Sequence, residues 1–228
     1  MKYLSILTGL LFCAASATNA ATINIDNFDT TGFQFAVAPT SGASPLNPAT
    51  TSSPTPDAIG GARRITVERL TPAGTGNAFG QQVQAIVLGG TAAVGMGAGV
   101  TGTALFEWSP LGADLVDGTN SAIFIDILSG DTSIDYTLDI NGTSVSKAGV
   151  SAGTLEFSFA DFSGISLTNV SAISLLLSGP SKFDAEFDNI RAGIGTQTSA
   201  VPLPAGLPLL LLGIGSFAAL RRRSSPEG

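Results

Sequence analysis

The sequence predicts an all-β protein: a single antiparallel jelly-roll-like β-sandwich, with an N-terminal signal peptide helix before it and a C-terminal transmembrane helix after it. Three observations predict the sandwich. Apolar residues recur at every second position in many short runs, which is the pattern of strands with one buried and one wet face. Turn formers separate the runs. No stretch of the body sustains a 3.6-residue period, and no repeat of fixed length is present. Short strands at this spacing fold into two packed antiparallel sheets. The sandwich is assigned to residues 22–192.

The first segment, residues 1–21, has one lysine, an apolar run from Leu4 to Ala15 and small residues after it. This is the pattern of a secretory signal peptide, and the run is short for a membrane span. Ala17, Ala20 and Ala21 are cleavage candidates; Ala20 and Ala21 are favoured because a strand pattern starts at Ile23. Export through the Sec translocon follows. The single cysteine, Cys13, lies inside this leader behind Phe12, where a lipid-attachment site needs a small residue. The exported body therefore has no disulfide framework.

Strand patterns then follow in order. Ile23 and Ile25 open the body, and Ile65 and Val67 alternate with Thr66 and Glu68. Ile123, Ile125 and Ile127 share a face, as do Ile134, Tyr136, Leu138 and Ile140. Leu155, Phe157 and Phe159 come next, then Ile173, Leu175 and Leu177, then Phe183, Ala185 and Phe187. Asn141-Gly142 and Ser129-Gly130-Asp131 are turn signals between runs. Pro39 to Pro56, rich in Pro, Ser, Thr and Ala, reads as a long surface loop. Residues 193–200 read as a small-residue linker.

Composition excludes several chemistries. There is no histidine, which removes Ser-His-Asp and Cys-His catalysis and His-ligated zinc. Between Thr22 and Ala200 stand 16 acidic and 6 basic residues, a net charge of −10 that disfavours nucleic acid. Gly97-Ala98-Gly99-Val100-Thr101-Gly102 matches a dinucleotide-binding pattern, but Pro110 and Gly112 break the helix that must follow. A glycine-rich loop or strand pair with close backbone approach is the expected reading.

Four acidic side chains are candidate calcium ligands. Asp26 and Asp29, beside Asn27, open the body; Asp184 and Asp188, beside Asn189, close it. If the first and last strands are neighbours, these oxygen-rich ends can share a cation. Trp108 is the candidate for stacking on a sugar, since Pro110 places it near a strand end; Tyr136 is expected to point inward. Glu68, Glu107, Glu156 and Glu186 are the glutamates a carboxylate-based glycosidase would draw on, but three of them fall on wet strand positions. No catalytic residue is assigned.

The last segment is the most specific. Residues 203–220 are an apolar stretch of about 27 Å as a helix, enough for a thin bilayer. Pro204 and Pro208 sit at its start, where proline is tolerated. Arg221, Arg222 and Arg223 then form a basic stop that stays cytoplasmic. Just before and into the span lies Val201-Pro202-Leu203-Pro204-Ala205. This three-part tail resembles the PEP-CTERM sorting signals of Gram-negative bacteria, in the variant whose motif reads VPLPA. It lacks the founding Pro-Glu-Pro but matches the variant motif in full. A sortase signal would need threonine after Leu203-Pro204-Ala205, where Gly206 stands.

The resemblance implies a substrate of an exosortase-like enzyme, held briefly in the inner membrane and then processed. It also implies a setting in exopolysaccharide or biofilm matrix. The body resembles, more loosely, the β-sandwich domains of that class through Ile59–Leu70 and Phe187–Gly193. The expected protein is a structural or glycan-binding component of the cell surface or extracellular matrix. The alternatives are a secreted carboxylate-dependent polysaccharide hydrolase and a permanently anchored periplasmic binding protein.

Overall fold

The computed structural model describes residues 22–29, 33–38, 48–71, 82–117 and 119–194. The signal peptide with Ala20 and Ala21, the motif Val201 to Ala205, the span and Arg221 to Arg223 lie outside the described residues. No helix among the described residues is long and apolar enough to cross a membrane.

Among the described residues thirteen strands form two antiparallel sheets: β1 Ile23–Asp26, β2 Gln34–Val37, β3 Ala49–Pro54, β4 Ala62–Arg69, β5 Val83–Leu88, β6 Thr91–Met96, β7 Gly102–Trp108, β8 Ala122–Gly130, β9 Asp135–Ile140, β10 Thr143–Ala148, β11 Gly153–Ser158, β12 Ile173–Gly179 and β13 Asp184–Gly193. Sheet I runs β11-β8-β13-β6-β5-β2, with β1 also on β13; sheet II runs β10-β9-β12-β7-β4-β3. From β6 to β9 and again from β10 to β13 the chain changes sheet at every step. The all-β sandwich is as the alternation predicts.

Between the sheets lies one apolar layer. Ile65 and Val67 of β4, Ala104 and Phe106 of β7 and Leu175 and Leu177 of β12 meet Ile123, Ile125 and Ile127 of β8 and Phe187 of β13. At its centre Phe28, Phe106 and Phe187 pack edge to face, with ring centroids 5.3 to 6.5 Å apart. Such aromatic contacts add to simple area burial. Tyr136 points inward as expected, and burial pushes its phenol up to about 12.

The Asn141-Gly142 signal is a two-residue hairpin turn between β9 and β10, with φ of +49° and +86°. Both values are those of a type I′ turn, whose twist matches the strands. Asn141 also accepts from the backbone N–H groups of Ser171 and Ala172 and donates to the Asn169 carbonyl. The turn is thereby tied to the chain entering β12.

Two boundaries differ from the sequence reading. Ala49–Pro54, inside the segment expected to be loop, is an edge strand paired residue by residue with β4. Its Ser and Thr side chains supply no apolar alternation, so the register comes from β4; Pro54 ends an edge, where a missing donor is tolerated. At the other end β13 runs through Gly193, one residue past the expected domain boundary. The glycine-rich stretch 97–101 is a loop carrying the chain from sheet I to sheet II, with no helix after it.

Candidate functional site

Asp26 and Trp108 lie together, in the core. Trp108 is 1% exposed, and its indole donates to Asp26 Oδ2 at 2.8 Å. The same oxygen accepts from Arg63 Nη1 at 2.6 Å, and Asp26 Oδ1 accepts from the Phe28 backbone N–H at 2.9 Å. Arg63 also donates through Nε to Gln34 Oε1 at 2.9 Å and lies over the Phe28 ring at 5.0 Å. This buried network joins β1 and β2 of sheet I to β4 and β7 of sheet II. It corrects two expectations: Trp108 offers no ring face to a sugar, and the Asp26 carboxylate is spent inside.

The four candidate calcium ligands are not assembled. The first and last strands are neighbours, as expected, with Ile23 opposite Ala192. Asp29 and Asp188 line one open recess of about 490 Å³ with Thr22, Asn24, Asn27, Asn189 and Arg191. Asp26 points away into the core, and Asp184 lies four residues before Asp188 on β13, about 13 Å along the strand. Among the described residues no group of three or more acidic side chains is placed to hold a metal ion. Burial holds the Asp188 carboxyl above the usual carboxylate value; the Asn189 backbone N–H opposes this, Asp29 and Asp126 add to it, and Arg191 opposes it. Arg191 is itself ion-paired with Asp126 and lies over the Phe124 ring.

The outer face of sheet I carries a feature that alternation alone does not reveal. Period two would turn Phe33 and Phe35 inward and Gln34 outward. The structure does the reverse: Gln34 is 2% exposed, drawn in by Arg63, while Phe33 and Phe35 are 65% and 43% exposed. The two rings stack with centroids 5.9 Å apart. Phe35 stands opposite Ile86 of β5, and Leu88, two residues on, is also exposed.

Next to this apolar strip runs β6, whose outward residues are Thr91, Ala93 and Gly95. Beyond it runs β13, whose outward residues are Asp184, Glu186 and Asp188. The register aligns Gln84, Gly95 and Asp184 in one row, and Ile86, Ala93 and Glu186 in the next. A lane of small side chains is thus bounded by rings and aliphatics on one side and by carboxylates on the other. A Cβ on Gly95 would come 3.0 Å from Asp184 Oδ1, so the glycine keeps a notch open between Gln84 and Asp184. At the other end of the lane, Asp29 Oδ1 lies over Gly90 in the β5–β6 turn.

The four candidate glutamates do not converge on a cleft. Glu107 is bound by Arg64 through two hydrogen bonds of 2.7 and 2.5 Å on the outer face of sheet II. Glu68, on the neighbouring strand, pairs with Thr103, four residues from Glu107 or about 13 Å. Glu156 and Glu186 are on sheet I, two strands apart and out of row.

No protein-family model and no curated protein matches the chain. Among solved structures it is similar to the family 11 carbohydrate-binding module from Clostridium thermocellum, determined with a β-1,3-1,4-mixed-linked tetrasaccharide: 14% identity, 70% of this chain and 96% of that one, TM-score 0.34. It is also similar to the carbohydrate-binding module CBM28, specific for non-crystalline cellulose: 11% identity, 78% and 88% coverage, TM-score 0.28. Similarities of this size carry no argument about ligand or activity.

Proposed function

We propose that this is an exported protein that binds glycan on the outer face of sheet I. Its tail directs it through a membrane-held intermediate to an exosortase-like enzyme, and so to the cell surface or extracellular matrix. The observation that carries the binding role is the exposed Phe33–Phe35 pair beside the small-residue lane of β6 and the carboxylates of β13. Flat apolar rings suit the C–H face of a pyranose, and carboxylates and Gln84 can hold its hydroxyls. Exposed aromatics cost solvation in a monomer, so a face that presents them is suited to a partner.

The binding role is tested by titrating protein purified from producing cells with a panel of oligosaccharides. Wild type is expected to bind at least one, and Phe33→Ala with Phe35→Ala to weaken that binding about tenfold, with an unchanged melting temperature. Equal affinity in the double variant would remove this face from the proposal. Sorting is tested by mass spectrometry of the surface protein: the expected C-terminus falls near residues 201–205. An intact chain ending at Gly228 and kept in the inner membrane would overturn it.

A hydrolase is the second reading, because Asp184, Glu186 and Asp188 are successive outward positions of β13, with backbones about 7 Å apart, and paired carboxylates are what glycosidases use. All three stand on one side of the lane, whereas those pairs flank the scissile bond. A release of reducing ends that Glu186→Gln abolishes would favour the hydrolase instead.

A further inference from the structure

The glycan-binding reading leaves open which class of glycan the face would take, and the charge pattern around the lane bears on this. Three consecutive outward positions of β13 are acidic, Asp184, Glu186 and Asp188, and Asp126 stands directly opposite Asp188 on β8. Asp29 closes the far end of the lane beside Gly90. Most of the described cations are engaged away from this row. Arg63 is buried against Asp26, Arg64 holds Glu107 on sheet II and Lys147 lies near Asp161, while Arg191 lines the recess beside Asp188 but is ion-paired with Asp126. Lys182 sits in the turn before β13, at the edge of the face. Among the described residues no ion pair joins Asp184, Glu186 or Asp188 to a basic side chain.

Like charges on successive outward positions repel, and the repulsion is relieved by a cation delivered from outside. Burial is the main reason the Asp188 carboxyl holds its proton more tightly than usual, and Asp29 and Asp126 beside it add to this. A uronic-acid polymer would be repelled along the whole lane. A neutral glycan would gain hydroxyl contacts but leave the repulsion in place. The apolar side is equally restrictive: stacked rings and a flat lane of Thr91, Ala93 and Gly95 favour flat rings over a bulky basic peptide.

Resting on the glycan-binding reading, we infer that the ligand is a basic polysaccharide of amino sugars with free amines, lying along β6 with ring faces towards Phe33 and Phe35 and ammonium groups towards Asp184, Glu186 and Asp188. Charge complementarity on one side and ring stacking on the other define that single class. The length of the row, about 13 Å from Asp184 to Asp188, spans more than one sugar, so an oligomer is needed to use it.

The test is isothermal titration of the purified protein with a β-1,4-linked glucosamine hexamer, its fully N-acetylated counterpart, a cellulose hexamer, a polyuronate fragment and hexalysine. The glucosamine hexamer is expected to bind about tenfold more tightly than the acetylated one at low salt, with the preference falling as salt rises. In the variant carrying Asp184→Asn, Glu186→Gln and Asp188→Asn the preference is expected to vanish. Phe33→Ala with Phe35→Ala should weaken binding of the sugar while leaving that of hexalysine unchanged. Equal binding of acetylated, neutral and free-amine hexamers overturns the inference but leaves the glycan-binding reading standing. Tighter binding of the polyuronate does the same. Hexalysine binding as well as the glucosamine hexamer overturns it in favour of plain ion exchange. No binding of any saccharide overturns both. The comparison of ligands on wild-type protein needs no variant to fold.

Discussion

Arg63→Ala is expected to destabilise the sandwich by about 3–5 kcal/mol, a loss of roughly 6–20 °C in melting temperature. Arg63 is 1% exposed and its partner Asp26 is fully buried. Without the guanidinium, the Asp26 carboxylate keeps only the Trp108 indole and the Phe28 N–H as donors. It is then a buried charge with no counter-charge, which is the costly half of a broken ion pair. Gln34 Oε1 also loses its donor. Replacing both charges by apolar residues, Asp26→Leu with Arg63→Met, is expected to be much milder, because the penalty lies in the stranded charge. Urea and thermal unfolding of the three proteins check this. A loss below about 1 kcal/mol in Arg63→Ala would show that the carboxylate finds water or another partner.

The same substitution has a second consequence. Gln34 is held inward by the Arg63 side chain together with the Thr51 and Arg63 backbone carbonyls, and its inward position goes with Phe33 and Phe35 facing solvent. Loosening β2 should therefore weaken ligand binding on sheet I as well as stability, although Arg63 lies far from that face's surface.

Gly102→Ala is the other large effect, at roughly 3 kcal/mol or more, and failure to fold is within its range. A Cβ at this position would meet Val83 Cγ2 at 2.5 Å and lie closer still to the Glu68 carbonyl oxygen. That carbonyl belongs to β4, which is paired with β7 along its length, so it cannot yield without opening the ladder. Gly99→Ala is the matched control. Gly99 has φ of +72° but open space where an added Cβ would stand, and the alanine variant should lose about 1 kcal/mol through backbone strain alone. Both glycines belong to the stretch that imitates a dinucleotide loop. Their difference in cost, read by chemical denaturation, separates a packing glycine from a turn glycine; equal costs would refute the packing account.

Much of the fold was legible because one face of each central strand is apolar. Ile123, Ile125 and Ile127, or Ile173, Leu175 and Leu177, reveal a strand by identity alone. Asn141-Gly142 was legible for a different reason: few other residues accept two successive positive φ values. The failures share a cause. Arg63, Ile65, Val67 and Arg69 all point inward on β4, but charge at the two ends made the run look shorter than it is. Ala104, Phe106 and Trp108 continue one inward face of β7, yet a nearby Pro110 suggested an exposed tryptophan. β3 has no apolar side to read and takes its pairing from β4.

By itself the sequence determined that strands alternate, where the tight turn falls and which chemistries are missing for want of histidine; the reading of the two ends rests on it alone. Only the tertiary structure decided which face of β2 is inside. Period two marks two faces without saying which is buried, and the usual rule chooses the apolar one. Here a buried Asp26–Arg63 pair requires a third polar partner, Gln34 supplies it, and the phenylalanines on either side are turned out onto the lane of β6. That choice depends on a contact between residues 29 positions apart, which no local pattern contains.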